Sequence, residues 1–201
     1  DLLGQAEEAD NELAAGRYRG WMHGMPHAVK DLAAVEGLRH TSGSLLYADR
    51  IAEHDSAMVS RIRAAGAIFI GKTNTPEFGL GSQSYNSIFG ATGCAYDPGL
   101  TSGGSSGGAG SALGTQMLPV ADGSDMMGSL RNPGAFNNVI GFRPSTNVIS
   151  GGSTDRRGLS TSGPMGRNTE DTIQFLKTIA AVDLGSDFSS IDLSEEIDKD
   201  C

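Results

Sequence analysis

The run Asp55-Ser-Ala-Met-Val-Ser-Arg-Ile-Arg-Ala-Ala-Gly66-Ala-Ile-Phe-Ile-Gly71-Lys72-Thr73 decides the fold class. Met58, Val59 and Ile62 recur at helical spacing, so one face of a helix is apolar. Asp55 is the expected cap and Gly66 the stop. Ala67-Ile-Phe-Ile70 then reads as a short buried strand. Gly66 to Thr73 also fits the phosphate-binding pattern G-x-x-x-x-G-K-[ST]. That pattern needs a loop whose N–H groups wrap phosphate, and Ala-Ile-Phe-Ile has the composition of a strand instead. Lys72 is therefore expected to be solvated.

Working outward, Gly4 to Ala15 reads as an acidic, Ala-rich helix. Met22 to Leu32 is mixed. Met117 to Val120 and Val139 to Phe142 are strand candidates, the second stopped by Pro144. Asn168 or Thr169 opens a last helix carrying Ile173, Phe175, Leu176 and Ile179. Helices alternating with strands predict an α/β sandwich. Residues 1–182 form the expected unit. From Asp183 to Cys201 seven acids face one Lys, which reads as an acidic tail or a discontinuous remnant.

Composition narrows the function. The 201 residues carry 15 Lys+Arg against 24 Asp+Glu, a net charge of −9. Nucleic acid and anionic membrane surfaces call for clustered positive charge, so neither is the expected partner. No apolar run approaches the ~20 residues of a membrane-spanning helix. Two cysteines suit a reducing compartment, and the sequence from Asp1 shows no basic-plus-apolar leader pattern, so the cytoplasm is expected. Glycine is abundant, 29 residues, with seven between Gly99 and Gly114.

Several patterns carry chemistry. Gly103-Gly-Ser105-Ser-Gly107 contains G-x-S-x-G, but all four histidines precede it, against the order of an α/β-hydrolase. His23 and His27 are separated by Gly24 and Pro26, which reads as two loop histidines rather than a metal pair. Lys30, flanked by Ala28-Val29 and Leu32, has the setting of a desolvated amine. Ser105 lies where small residues let backbone approach closely. Ser129 follows Asp125-Met-Met-Gly128, a turn able to aim N–H groups at one oxygen. Together they suit a His-free hydrolase. Taken singly, a Gly/Ser loop is usually only a loop, and a Lys beside an Asp only a surface pair.

Six blocks carry a resemblance. They are His23-Gly-Met-Pro-His-Ala-Val-Lys30-Asp-Leu32, Gly71 to Phe78, Asp97-Pro98, Gly103 to Gly108, Gly123 to Arg131 and Gly141-Phe-Arg-Pro144. In this order they resemble the amidase signature family, and Ser162 to Arg167 fits as well. The resemblance implies a mixed central sheet sandwiched by helices, of which this chain covers the N-terminal catalytic part. It implies Lys30 as base, Ser105 after a cis peptide as relay, and Ser129 as acyl-forming nucleophile. The 24-residue spacing from Ser105 to Ser129 fits. Backbone N–H groups of Met126, Met127, Gly128 and Ser129 form the expected oxyanion hole. Asp125, Arg131 and Ser106 are expected to support the loop, with an Asp125–Arg131 ion pair.

The family usually has Thr-Asp-Thr-Gly-Gly-Ser before its nucleophile, where this chain has Ser124-Asp-Met-Met-Gly-Ser129. Met127 thus replaces a Gly, which raises the question of a positive φ there. The variant looks like a branch that includes enzymes acting on cyclic amide dimers. The implied substrate is a small-molecule amide, with no metal or organic cofactor and a homodimer left open. The alternatives are a catalytically impaired amidase-like binding protein and an amidotransferase subunit.

Overall fold

The computed structural model describes residues 1–149, 159–181 and 184. The acidic segment from Asp183 lies outside them, except for Leu184. The elements in chain order are α1 (Leu2–Ala14), β1 (Pro26–Lys30), α2 (Ala57–Ala64), β2 (Ile68–Thr73), β3 (Tyr85–Asn86), β4 (Gly90–Ala91), α3 (Gly107–Gly114), β5 (Val120–Asp125), α4 (Arg131–Phe136), β6 (Ile140–Gly141), β7 (Thr161–Gly166) and α5 (Thr169–Ile179).

In place of the single mixed sheet the resemblance implies, the described strands form one parallel and two antiparallel sheets. β1 and β2 run parallel, and the ladder shifts register between His27 and Ala28. β7 lies between β5 and β6, antiparallel to both. β1 packs beside β5. Successive strand residues point to opposite faces, and two cores follow from that alternation. Val29 and Val120 join Met58, Val59, Ile62, Phe175 and Ile179 in one core, which α2 and α5 cover. Ala28 and Ala121 join Ala109, Leu113, Leu130 and Met165 in the other, against α3. Helices on both faces make the α/β sandwich the spacing predicts. No helix among the described residues is long and apolar enough to cross a membrane.

Local expectations needed correction. Asp55 does not cap α2; Ser56 takes the cap position, and Asp55 instead pairs with Arg63 at 2.6 Å and accepts the Glu36 N–H. The strand expected at 67–70 runs from Ile68 to Thr73, and Ile70 is exposed. The strand expected at 117–120 begins only at its last residue, Val120. The mixed stretch from Met22 holds β1. Lys72 is not solvated: it donates to the Ala33 carbonyl and lies 3.5 Å from Asp31. Asn168 does cap α5, accepting the Asp171 N–H at 2.8 Å.

The glycine run becomes α3, a helix packed by the absence of side chains. A Cβ on Gly108 would lie 2.3 Å from the Asn74 backbone nitrogen. That close approach holds the start of α3 against the chain that follows β2.

Candidate active site

β1 ends at Lys30, and its parallel ladder carries that side chain inward, where only 1% of the residue is exposed. Three hydroxyls meet the amine. Lys30 Nζ donates to Ser105 Oγ at 2.7 Å, Ser106 Oγ at 2.8 Å and Ser124 Oγ at 3.0 Å. An ammonium has three N–H donors, and three acceptors satisfy it. Burial pushes the amine down to about 7, while the Asp122 and Asp125 carboxylates pull it the other way.

The hydroxyls are not equivalent. Ser106 Oγ donates to the Ser124 carbonyl at 3.3 Å and accepts the Ser124 N–H. Among the described residues Ser105 Oγ has Lys30 as its hydrogen-bond partner, and no described acceptor takes its own proton. The Gly104–Ser105 peptide is cis. The Ser105 carbonyl accepts from Ser84 Oγ, which also receives the Gly107 N–H at 2.8 Å.

The 125–131 loop is organised around one carboxylate. Arg131 Nε and Nη2 each meet Asp125 at 3.0 Å, the two-point geometry in which such pairs are strongest. Asp125 also accepts the Gly128 and Leu130 N–H groups. Burial pushes this carboxyl up, but Arg131 and the two amides outweigh it and hold it at about 2.

Of the four expected oxyanion donors, Gly128 is therefore already engaged. The N–H groups of Met126, Met127 and Ser129 donate to no described protein atom. The loop's positive φ, 117°, falls on Gly128 and not on Met127, so the Met-for-Gly difference is free of backbone strain.

Ser129 and Gly104 line one cleft of about 310 Å³ with Leu80, Met126, Met127 and Asn132. Ser129 is tied to Lys30's partners through the backbone, its carbonyl accepting the Ser106 N–H at 3.2 Å. Lys30 also lines a second, polar cavity of about 320 Å³ with His40, Asp122, Ser124 and Ser162. Lys30 and Ser129 thus line different cavities.

The structure brings Lys30, Ser105 and Ser106 into contact and pairs Asp125 with Arg131. The sequence reading missed Ser124, Ser84 and Asp122, which nothing in the local sequence marks. His23 and His27 do not form a pair. His23 Nε2 contacts the Ala9 carbonyl, while His27 is no loop residue but a buried member of β1, facing Asp122 at 3.2 Å. No group of three metal-ligating side chains occurs among the described residues.

The Amidase family model matches residues 1–199 of the chain. A Glutamyl-tRNA(Gln) amidotransferase subunit from Acaryochloris marina is 37% identical over 183 residues, which cover 90% of this chain and 38% of that protein. The native peptide amidase of Stenotrophomonas maltophilia superposes with a TM-score of 0.81 at 32% identity, covering 95% of this chain and 40% of that one. A 6-aminohexanoate cyclic dimer hydrolase superposes at 0.78 with 33% identity, over 89% of this chain and 38% of that one. The chain spans about two fifths of the length of the curated relatives it matches.

Proposed function

Because this chain belongs to the amidase family, we propose that it carries the catalytic core of an enzyme that hydrolyses a carboxamide C–N bond. The observation that carries the reading is the buried Lys30 amine, 2.7 Å from a serine hydroxyl whose proton no described acceptor takes. Neutral Lys30 accepts the Ser105 proton as Ser105 accepts that of Ser129. Ser129 Oγ then attacks the amide carbonyl. The N–H groups of Met126, Met127 and Ser129 receive the developing oxyanion, and one such donor is worth ~3 kcal/mol of barrier. The proton returns through Ser105 to the nitrogen as the C–N bond breaks. Water then splits the acyl-enzyme along the same relay, releasing the acid and restoring Ser129.

Nucleophile, relay and base are all side chains of this chain, so the scheme calls on no metal or organic cofactor. A small-molecule amide is the proposed substrate. The cytoplasm is the proposed setting. The curated relatives favour a second reading, an amidotransferase subunit that works on charged tRNA, and its amide-cleaving step would use the same residues. The net charge of −9 weighs toward the small amide.

The test is the intact mass of the full-length protein after a serine-reactive fluorophosphonate. One adduct is expected on the parent and none on Ser129→Ala. Ser105→Ala should label roughly 10²–10⁴-fold more slowly, the range of a lost proton-transfer group. No adduct on the folded parent overturns the reading.

A further inference from the structure

We propose that Asp122, held by His27, is a positioning residue that tunes the Lys30 base from behind. The inference rests on the serine–lysine reading above. Asp122 is 1% exposed and lies 92 residues from Lys30 along the chain, yet both its oxygens accept the Lys30 backbone N–H, at 3.3 and 3.2 Å. Its other neighbour is His27 Nε2, at 3.2 Å from Oδ1. His27 Nδ1 is buried with no hydrogen-bond partner among the described residues. A bare acceptor is cheaper to bury than an unpaired N–H donor, so the tautomer with its proton on Nε2 suits the site. His27 then donates to Asp122, with its ring wedged between Phe69 and Phe175.

A buried carboxylate fixed in this way acts on its neighbour through charge. An opposite charge nearby favours the protonated amine and opposes the effect of burial. A lysine base with no such counterweight would be too weakly basic to take the serine proton. The groups facing Lys30 are few. Asp122, Ser124 and Asp125 come from β5, and Ser105 and Ser106 from the turn before α3. His40 stands across the polar cavity. On β2, Lys72 is turned to Asp31 and Ala33, while α2 and β7 present Met58 and Ser162, and α5 presents Phe175 to His27. Both carboxylates act on the amine, but Asp125 is bonded at two points to Arg131, whereas among the described residues Asp122 is bonded to no Lys or Arg side chain and meets only the Lys30 N–H and the His27 ring.

The test is the pH dependence of kcat/KM on a carboxamide that the full-length protein turns over. Asp122→Asn keeps an oxygen for the Lys30 N–H but removes the charge. Its acidic limb should move to lower pH by about one unit, at the low end of the shift an opposite charge produces. Asp122→Glu should bring the limb back toward the parent position. His27→Gln keeps an N–H donor and should leave the limb in place, while His27→Leu should shift it in the direction of Asp122→Asn. Should Asp122→Asn not fold, the two His27 variants carry the test. A purely structural role would lower kcat in Asp122→Asn with the limb unmoved, and that result overturns the proposal. A parent with no acidic limb at all, or a Lys30→Ala variant of undiminished rate, overturns the serine–lysine reading itself, and the tuning role with it.

Discussion

The Asp125 carboxylate grips the Arg131 guanidinium through two contacts of 3.0 Å and, with the same two oxygens, receives the Gly128 and Leu130 amides. One side chain thus grips the turn on both sides of Ser129. The carboxyl is held at about 2, below its ordinary 3.8. A depressed carboxyl stabilises the fold fully above its unfolded value and loses that contribution as pH falls through its folded one. The stability difference between the parent and Asp125→Asn should therefore be constant above pH ~5 and shrink toward pH ~2. Urea unfolding across this range measures it; a difference independent of pH would refute the pairing.

Lys30 has the same direction of pH dependence, but as a cost of burial that is relieved at high pH rather than a gain that is lost at low pH. Its amine is depressed from 10.5 to about 7, so between those values the unfolded chain binds a proton that the folded one does not. Stability contributed at this position then rises with pH. Lys30→Met should abolish turnover and gain in relative stability as pH falls from about 10 toward 7. Chemical denaturation of both proteins at the two ends of that range is the check.

Met127 is 87% exposed and lines the Ser129 cleft, while the positive φ belongs to Gly128. Met127→Gly should therefore change stability by less than about 1 kcal/mol. It should raise KM for apolar amides with kcat nearly unchanged, as expected when binding common to ground and transition states is removed. Steady-state kinetics on a graded series of amides would show it.

Gly108 faces backbone rather than a side-chain tip. The added Cβ of Gly108→Ala would meet Asn74 N at 2.3 Å, so the start of α3 must move. Overpacking of this kind costs about 1–3 kcal/mol. A lowered melting temperature with slowed fluorophosphonate labelling is expected, since Ser105 and Ser106 lead directly into this helix.

Apolar spacing was enough to reveal α2 and α5, because Met58, Val59, Ile62, Phe175, Leu176 and Ile179 all fall on a buried face. It could not reveal α3, whose buried residues are Gly107, Ala109, Gly110 and Leu113, since such a helix packs through close backbone contact. β7 escaped for a related reason. It is the middle strand of its sheet, yet it reads Thr-Ser-Gly-Pro-Met-Gly, and Pro164 argues against a central position. In the site, Lys30, Ser105 and the Asp125–Arg131 pair were legible because ordered blocks of sequence surround them. Asp122 and Ser124 were not, because their roles come from partners more than 90 positions away.

The separations around Lys30 also bear on biosynthesis. Its amine meets hydroxyls 75, 76 and 94 positions downstream. Contacts this distant form late, after long loops have closed. A nascent chain therefore carries ordinary serines and an ordinary lysine until β5 has docked beside β1. On the proposed mechanism, acylation is then withheld from a partly made protein, which would meet amides and esters without reacting before the fold closes.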